Sequence, residues 1–256
     1  MILKCARAGF LLLALALAIA AGAEPSLLGP TGLVQTPNTD TVPAGSYQFA
    51  GSYVSMDNKQ FVWPVRLVAG ISDTAELGLA NLEYGDGMDG RLTNFVGKVA
   101  LQREPDAPFG LAVGLDYGVL GEDRFEASGL KRAIRIYAVA SKTLRQVGNG
   151  EGQGESAGLG VRLNAGAAYY RIENGSALTS TRPFVGIEFA TRQGAVVALE
   201  WRSENLGDDV FSAAIRYHFK GYAVGELGIT NNVGGLGLSN KSGVFVGLGW
   251  NFAAPQ

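Results

Sequence analysis

Residues 111–119 read LAVGLDYGV, and their alternation decides the fold. Leu111, Val113, Leu115, Tyr117 and Val119 fall on one side of an extended chain; Ala112, Gly114, Asp116 and Gly118 fall on the other. A period of two marks a β-strand, because successive side chains point to opposite faces. Here one face is large and apolar, while the other is small and carries a charge.

The same division recurs outward in both directions. SYQFAGSYV (46–54) puts Tyr47, Phe49, Gly51 and Tyr53 together. LGVRLNAGAAYY (159–170) sets Leu159, Val161, Leu163, Ala165, Ala167 and Tyr169 against Arg162, Asn164 and Gly166. VVALEWRSE (196–204) sets Val197, Leu199 and Trp201 against Glu200 and Arg202, and FSAAIRYHF (211–219) sets Phe211, Ala213, Ile215, Tyr217 and Phe219 against Ser212, Arg216 and His218. VFVGLGWNF (244–252) closes the series. About twelve strands are expected, at 46–55, 61–70, 75–84, 91–102, 109–120, 131–142, 158–170, 181–191, 195–203, 211–219, 222–230 and 243–252. Most exceed the five or six residues usual in soluble sheets and suit a tilted strand crossing a bilayer.

The connections alternate in length. Short turns are expected at 71–74, 103–108, 192–194 and 220–221, and longer polar loops at 56–60, 85–90, 121–130, 173–179, 205–209 and 231–242. Short turns at one end and long loops at the other are the habit of outer-membrane barrels. The Gly-rich stretch LRQVGNGEGQGESAG (144–158) breaks the alternation, being long where a turn belongs.

The N-terminus reads as a leader. Lys4 and Arg7 precede the apolar run Phe10–Ala21, and Ala21-Gly22-Ala23 offers the small residues of a cleavage site before Glu24. The only cysteine, Cys5, lies in that leader, so the exported chain uses no disulfide. Taking Lys4 and Arg7 from the 21 basic residues leaves 19 against 23 acidic ones, a net charge of about −4. That balance argues against nucleic acid as a partner. The expected organisation is a signal peptide (1–23), an irregular Pro/Gly-rich segment in the periplasm or plugging the lumen (24–45), a barrel (46–252) and a short tail (253–256).

Alternation alone leaves the faces open: a soluble barrel turns its apolar face inward, a membrane barrel turns it outward. The leader, the strand lengths and the missing disulfides favour an all-β, antiparallel, up-and-down transmembrane β-barrel. An exported soluble barrel binding a small ligand in its interior is the alternative. On the membrane reading, Tyr47, Tyr53, Trp63, Tyr84, Tyr169, Trp201, Tyr217 and Trp250 form aromatic girdles at the interfaces. Arg135, Arg162, Glu188, Glu200, Arg202, Arg216 and His218 line the lumen, with Glu200, Arg202 and Arg216 expected to pair as a ladder across strands. Such a ladder either closes a narrow lumen or selects small anionic or sugar solutes.

Catalysis finds little support. His218 is the only histidine, and Ser212 on the same face lies about 20 Å away along a strand. A nucleophile and base must lie within hydrogen-bond reach. GDGMDG (85–90) lacks the spacing and closing Glu of a calcium loop, and one histidine without mature cysteines makes no metal cluster. No enzyme activity, metal or cofactor is expected.

GPTGLVQTPNTDTVPAG (29–45) carries a family resemblance. Gly29, Gly32 and Leu33, then Pro37, then Pro43 and Gly45 before the first strand are similar to the opening of YjbH-type outer-membrane β-barrel proteins. VRLVAGISDTAELGLA (65–80) and IRIYAVASKTL (134–144) resemble them less specifically. The resemblance implies location in the cell outer membrane and a structural or transport role, as a narrow channel or scaffold linked to envelope or exopolysaccharide export. The partners implied are the lipid bilayer, the outer-membrane assembly machinery and polysaccharide-export components. Trp250-Asn251-Phe252 has the alternation such machinery reads, although residues 253–256 follow it.

Overall fold

The computed structural model describes residues 25–56, 60–85, 90–104, 106–121, 130–145, 159–174, 176–191, 194–203, 209–219, 222–231 and 242–252. The expected leader, residues 86–89 of the stretch GDGMDG, most of the Gly-rich 144–158 loop, much of the other long loops and the tail at 253–256 lie outside the described residues.

Twelve strands form: β1 Tyr47–Met56, β2 Phe61–Ser72, β3 Ala75–Gly85, β4 Gly90–Gln102, β5 Gly110–Gly121, β6 Leu130–Arg145, β7 Leu159–Asn174, β8 Ser176–Thr191, β9 Ala195–Arg202, β10 Val210–Phe219, β11 Ala223–Thr230 and β12 Gly243–Phe252. Each pairs antiparallel with its sequence neighbours, and β1 pairs with β12, so the sheet closes on itself. Closure leaves no strand edge with unpaired backbone groups, a condition for crossing a bilayer with strands.

The side chains settle which face is which. Leu77 (57 % exposed), Leu115 (48 %), Leu199 (42 %), Leu227 (55 %) and Val246 (54 %) point outward, and 27 other large apolar residues among those described are likewise exposed. Their alternates point inward, where Arg66, Glu76, Lys98, Arg182 and Arg202 are almost fully buried. Leaving such a belt in water would forfeit on the order of 1 kcal/mol per side chain. Over the whole belt that exceeds the usual 5–15 kcal/mol (roughly) of net folding stability. The outer surface is therefore suited to lipid and unsuited to water.

Three expectations need correction. The polar loop expected at 173–179 is instead strand: β7 runs to Asn174, β8 starts at Ser176, and the register continues through Ile172↔Leu178 to Asn174↔Ser176. Alternation persists there in a polar form, which hydropathy reads as loop. Tyr84 does not join an outer girdle. The outward residues of β3 are Leu77 and Leu79, so residue 84 falls on the inner face and is buried. The Glu200–Arg202–Arg216 ladder gives way to different partners, because the β9–β10 register sets Glu200 opposite Ser212 and Arg216 opposite Val196.

Outward aromatics concentrate at the β12–β1–β2 seam. Tyr47 stacks on Phe252 at 5.0 Å, Phe49 on Trp250 at 6.3 Å, and Tyr53 meets Trp63 at 4.9 Å. Cross-strand aromatic pairs of this kind add to the strand pairing that closes the ring.

Candidate functional site

The lumen is occupied by the chain itself. Residues 25–39, 41 and 42 are buried, although none belongs to a strand of the barrel. The segment leaves the rim at the exposed turn Pro43–Gly45, where Gly45 adopts φ +70°. At that rim Thr41 donates to the carbonyl of Asp73 in the β2–β3 turn at 2.9 Å. Further in, the segment meets β7 and β6, then β9 and β10, then β3 and β4. Pro25 ends the described path beside Ala50, Arg66, Arg216 and Glu226.

Its sequence explains this irregular course. Gly29 has φ +122°, a region other residues avoid. A side chain at Gly32 would strike the Thr36 carbonyl at 2.1 Å, in the tight loop closed by the Gly32↔Pro37 bridge. The prolines remove donors that no strand would satisfy here. The residues of the family-like motif thus shape the plug.

The wall grips this plug mainly by its peptide groups. The Glu200 carboxylate accepts N–H bonds from Val34 (3.2 Å), Gln35 (2.9 Å) and Thr36 (3.0 Å), and the Thr36 hydroxyl at 2.8 Å. Three successive N–H groups converging on an anion make a backbone nest. Glu76 does the same at a second point, accepting from the N–H of Thr31 and of Val42, each at 3.0 Å. Lys98 pairs with Glu76 at 3.1 Å and donates to the Thr31 carbonyl at 2.9 Å.

Arginines hold the carbonyls. Arg216 donates to the carbonyls of Gly32, at 2.9 Å, and Leu33, while its Nε pairs with Glu226 at 3.0 Å. Arg135, paired with Asp116, reaches the Gln35 carbonyl at 3.4 Å. The Gln35 side chain bonds Thr230 at 2.8 Å and Ser212 at 3.3 Å. Leu33 seats in a niche that exists because residue 186 is glycine: a Cβ there would lie 2.3 Å from the Leu33 methyl.

Near the rim, Arg162 donates to Asp40 and, at 2.8 Å, to the Thr39 hydroxyl. Burial alone would raise the Asp40 carboxyl, but the Arg162 guanidinium beside it brings it below the ordinary value. A depressed carboxyl contributes stability above its unfolded-state value and loses it as pH falls through the folded value. This contact therefore holds at neutral and mildly acidic pH.

Of the residues expected to line the lumen, Arg135, Glu200 and Arg216 touch the plug backbone, and Arg162 touches its side chains. Glu188 accepts from Asn164 at 3.1 Å, beside this cluster. Arg202 is buried on the inner face of β9, and His218 lies inward near the rim, its backbone N–H bonded to Gly194. The sequence reading missed Glu76, Lys98, Asp116 and Glu226. Each falls on the inner face of its strand, and Glu76 lies opposite Lys98 once the β3–β4 register is known. Among the described residues no three His, Cys, Asp or Glu side chains gather as metal ligands.

No known family model matches the chain, and no curated protein matches it. Solved structures do. A KdgM porin aligns over 79 % of this chain and 98 % of its own, at 11 % identity and a TM-score of 0.55. A NanC porin aligns over 80 % and 98 %, at 10 % identity and 0.52. The COG4313 outer membrane channel from Pseudomonas putida F1 aligns over 86 % and 99 %, at 10 % identity and 0.51. At these identities the likeness is one of fold, and it is to the fold of outer-membrane porins and channels.

Proposed function

We propose that this chain is an outer-membrane β-barrel of the channel type, exported by a cleaved leader and closed at rest by its own N-terminal segment. The observation that carries this reading is the inversion of faces: a closed ring with an apolar exterior and charged residues buried inside. The fold shared with porins and an outer-membrane channel supports it. The soluble-barrel alternative would need the opposite inversion. Lipid surrounds the belt, and the assembly machinery reads the closing strand β12. No catalytic role is proposed.

Fractionation tests the location. The mature protein should resist salt and carbonate washes and come out only with detergent; release without detergent overturns the reading. Substitution tests the faces. Leu115→Arg or Leu199→Arg should each cost roughly 2–4 kcal/mol of insertion near the midplane. The measurement is the folded fraction in bilayers by heat-modifiable gel mobility, and full insertion of both variants would show the faces to be misassigned.

The finer reading, a YjbH-type protein serving envelope or exopolysaccharide export, rests on the motif from Gly29 to Gly45. Its support is that this motif builds the plug, the part of the molecule that would regulate passage. A deletion strain should show reduced surface polysaccharide, and normal export in that strain refutes the link.

A further inference from the structure

The wall recognises the plug by main chain more than by side chain. Two carboxylates, Glu76 and Glu200, take five peptide N–H groups between them. Three cations, Lys98, Arg135 and Arg216, take four peptide carbonyls. These partners lie on β3, β4, β6, β9 and β10, so the grid surrounds its occupant. Peptide N–H and C=O groups are common to every sequence. A surface that satisfies them with charge-assisted bonds binds peptide as a class. Side-chain contacts add to this grid: Leu33 in the niche at Gly186, the Gln35 amide on Ser212 and Thr230, the Thr31 and Thr36 hydroxyls on Glu76 and Glu200, and Thr39 and Asp40 on Arg162.

We propose that the wall vacated by the plug is a peptide-binding site, and that the solute class this barrel admits is the short peptide able to take the plug's bent course. The plug is then a tethered stand-in for that ligand. This inference rests on the reading of the chain as a channel closed by its N-terminal segment. The exposed turn at Pro43–Gly45 tethers the plug outside the lumen, the Gly45 N–H donating to the Gly70 carbonyl of β2 at 2.9 Å.

The test uses the chain lacking residues 26–42, refolded and checked for heat-modifiable mobility, with a fluorescent synthetic peptide of sequence 26–42. Binding is read by anisotropy in detergent and by block of conductance in planar bilayers. The peptide should bind saturably. A version N-methylated at the positions of Val34, Gln35 and Thr36 should bind at least about tenfold more weakly, since it loses the N–H groups that Glu200 accepts. A peptide that keeps Gly29, Thr31, Gly32, Leu33, Gln35 and Thr36 and changes the other residues should bind within about tenfold of the first, and a neutral oligosaccharide of similar length should not compete.

Absence of peptide binding, indifference to N-methylation, binding of the native sequence alone, or equal competition by the oligosaccharide would each overturn the proposal. Should the shortened chain fail to fold, the full chain with a protease site inserted at Pro43–Gly45 can be folded, cut and offered the labelled peptide in exchange. A shortened barrel that binds peptide yet never conducts would sink the channel reading alone. One that conducts yet ignores peptide would sink only this inference.

Discussion

Deleting residues 26–42 is expected to turn a silent barrel into a conducting one. In planar bilayers the full chain should give no resolvable current steps, and the shortened chain should give discrete ones. A twelve-strand barrel falls between the eight-strand ring, which side chains fill, and the 16–18-strand porins, which leave an aqueous channel. Its bore therefore has room for a segment, and here that segment is the plug. Leu27, Leu33, Val34 and Gln35 are fully buried within it, so little space at their level remains for ions. Removing them leaves a wall bearing Glu76, Lys98, Arg135, Glu200 and Arg216, which water readily hydrates. Two outcomes matter. If the shortened barrel folds, by heat-modifiable mobility, and stays silent, the lumen is shut by something other than the plug. If the full chain already conducts steadily, the plug is no seal.

The barrel was legible in the sequence because its determinants are local. Period-two alternation needs only neighbouring residues, and closure of twelve antiparallel strands follows once short turns and long loops alternate. Errors arose where a residue's role depends on pairing. Glu200, Arg202 and Arg216 share the inner face, but which of them meet is a matter of register. Register placed Ser212 opposite Glu200 and left its carboxylate to the plug. Tyr84 was misread for a related reason: proximity to a strand end suggested a girdle, while parity sent it inward. The plug contacts lay furthest from view. Glu200 grips N–H groups about 165 residues earlier in the chain, donors that every residue but proline carries. What the sequence could show of the plug was negative, a stretch too rich in proline and glycine to be strand or helix. Its position in the lumen depends on a wall that exists only after the barrel closes.

Glu200 is the residue on which closure most depends. Its carboxylate accepts three successive N–H groups, and all three donors are buried. Glu200→Ala leaves these groups without an acceptor, at about 1–3 kcal/mol each. Part of that cost is recovered as water enters the vacated space. A net loss of about 3 kcal/mol from the docked state would raise the undocked population roughly a hundredfold. Glu200→Gln keeps one acceptor oxygen and should fall between. A single cysteine reports the change cleanly, since the chain after Cys5 contains none. Val34→Cys, buried in the docked plug, should react slowly with a maleimide in the parent. In the Glu200→Ala background it should react about a hundredfold faster, in line with its larger exposed fraction. Barrel mobility on gels should stay unchanged, because Glu200 faces the plug and Ser212 rather than a charged wall partner. Equal labelling rates in the two backgrounds would mean that Glu200 does not hold the plug. Faster labelling with a melted barrel would instead assign it to the wall.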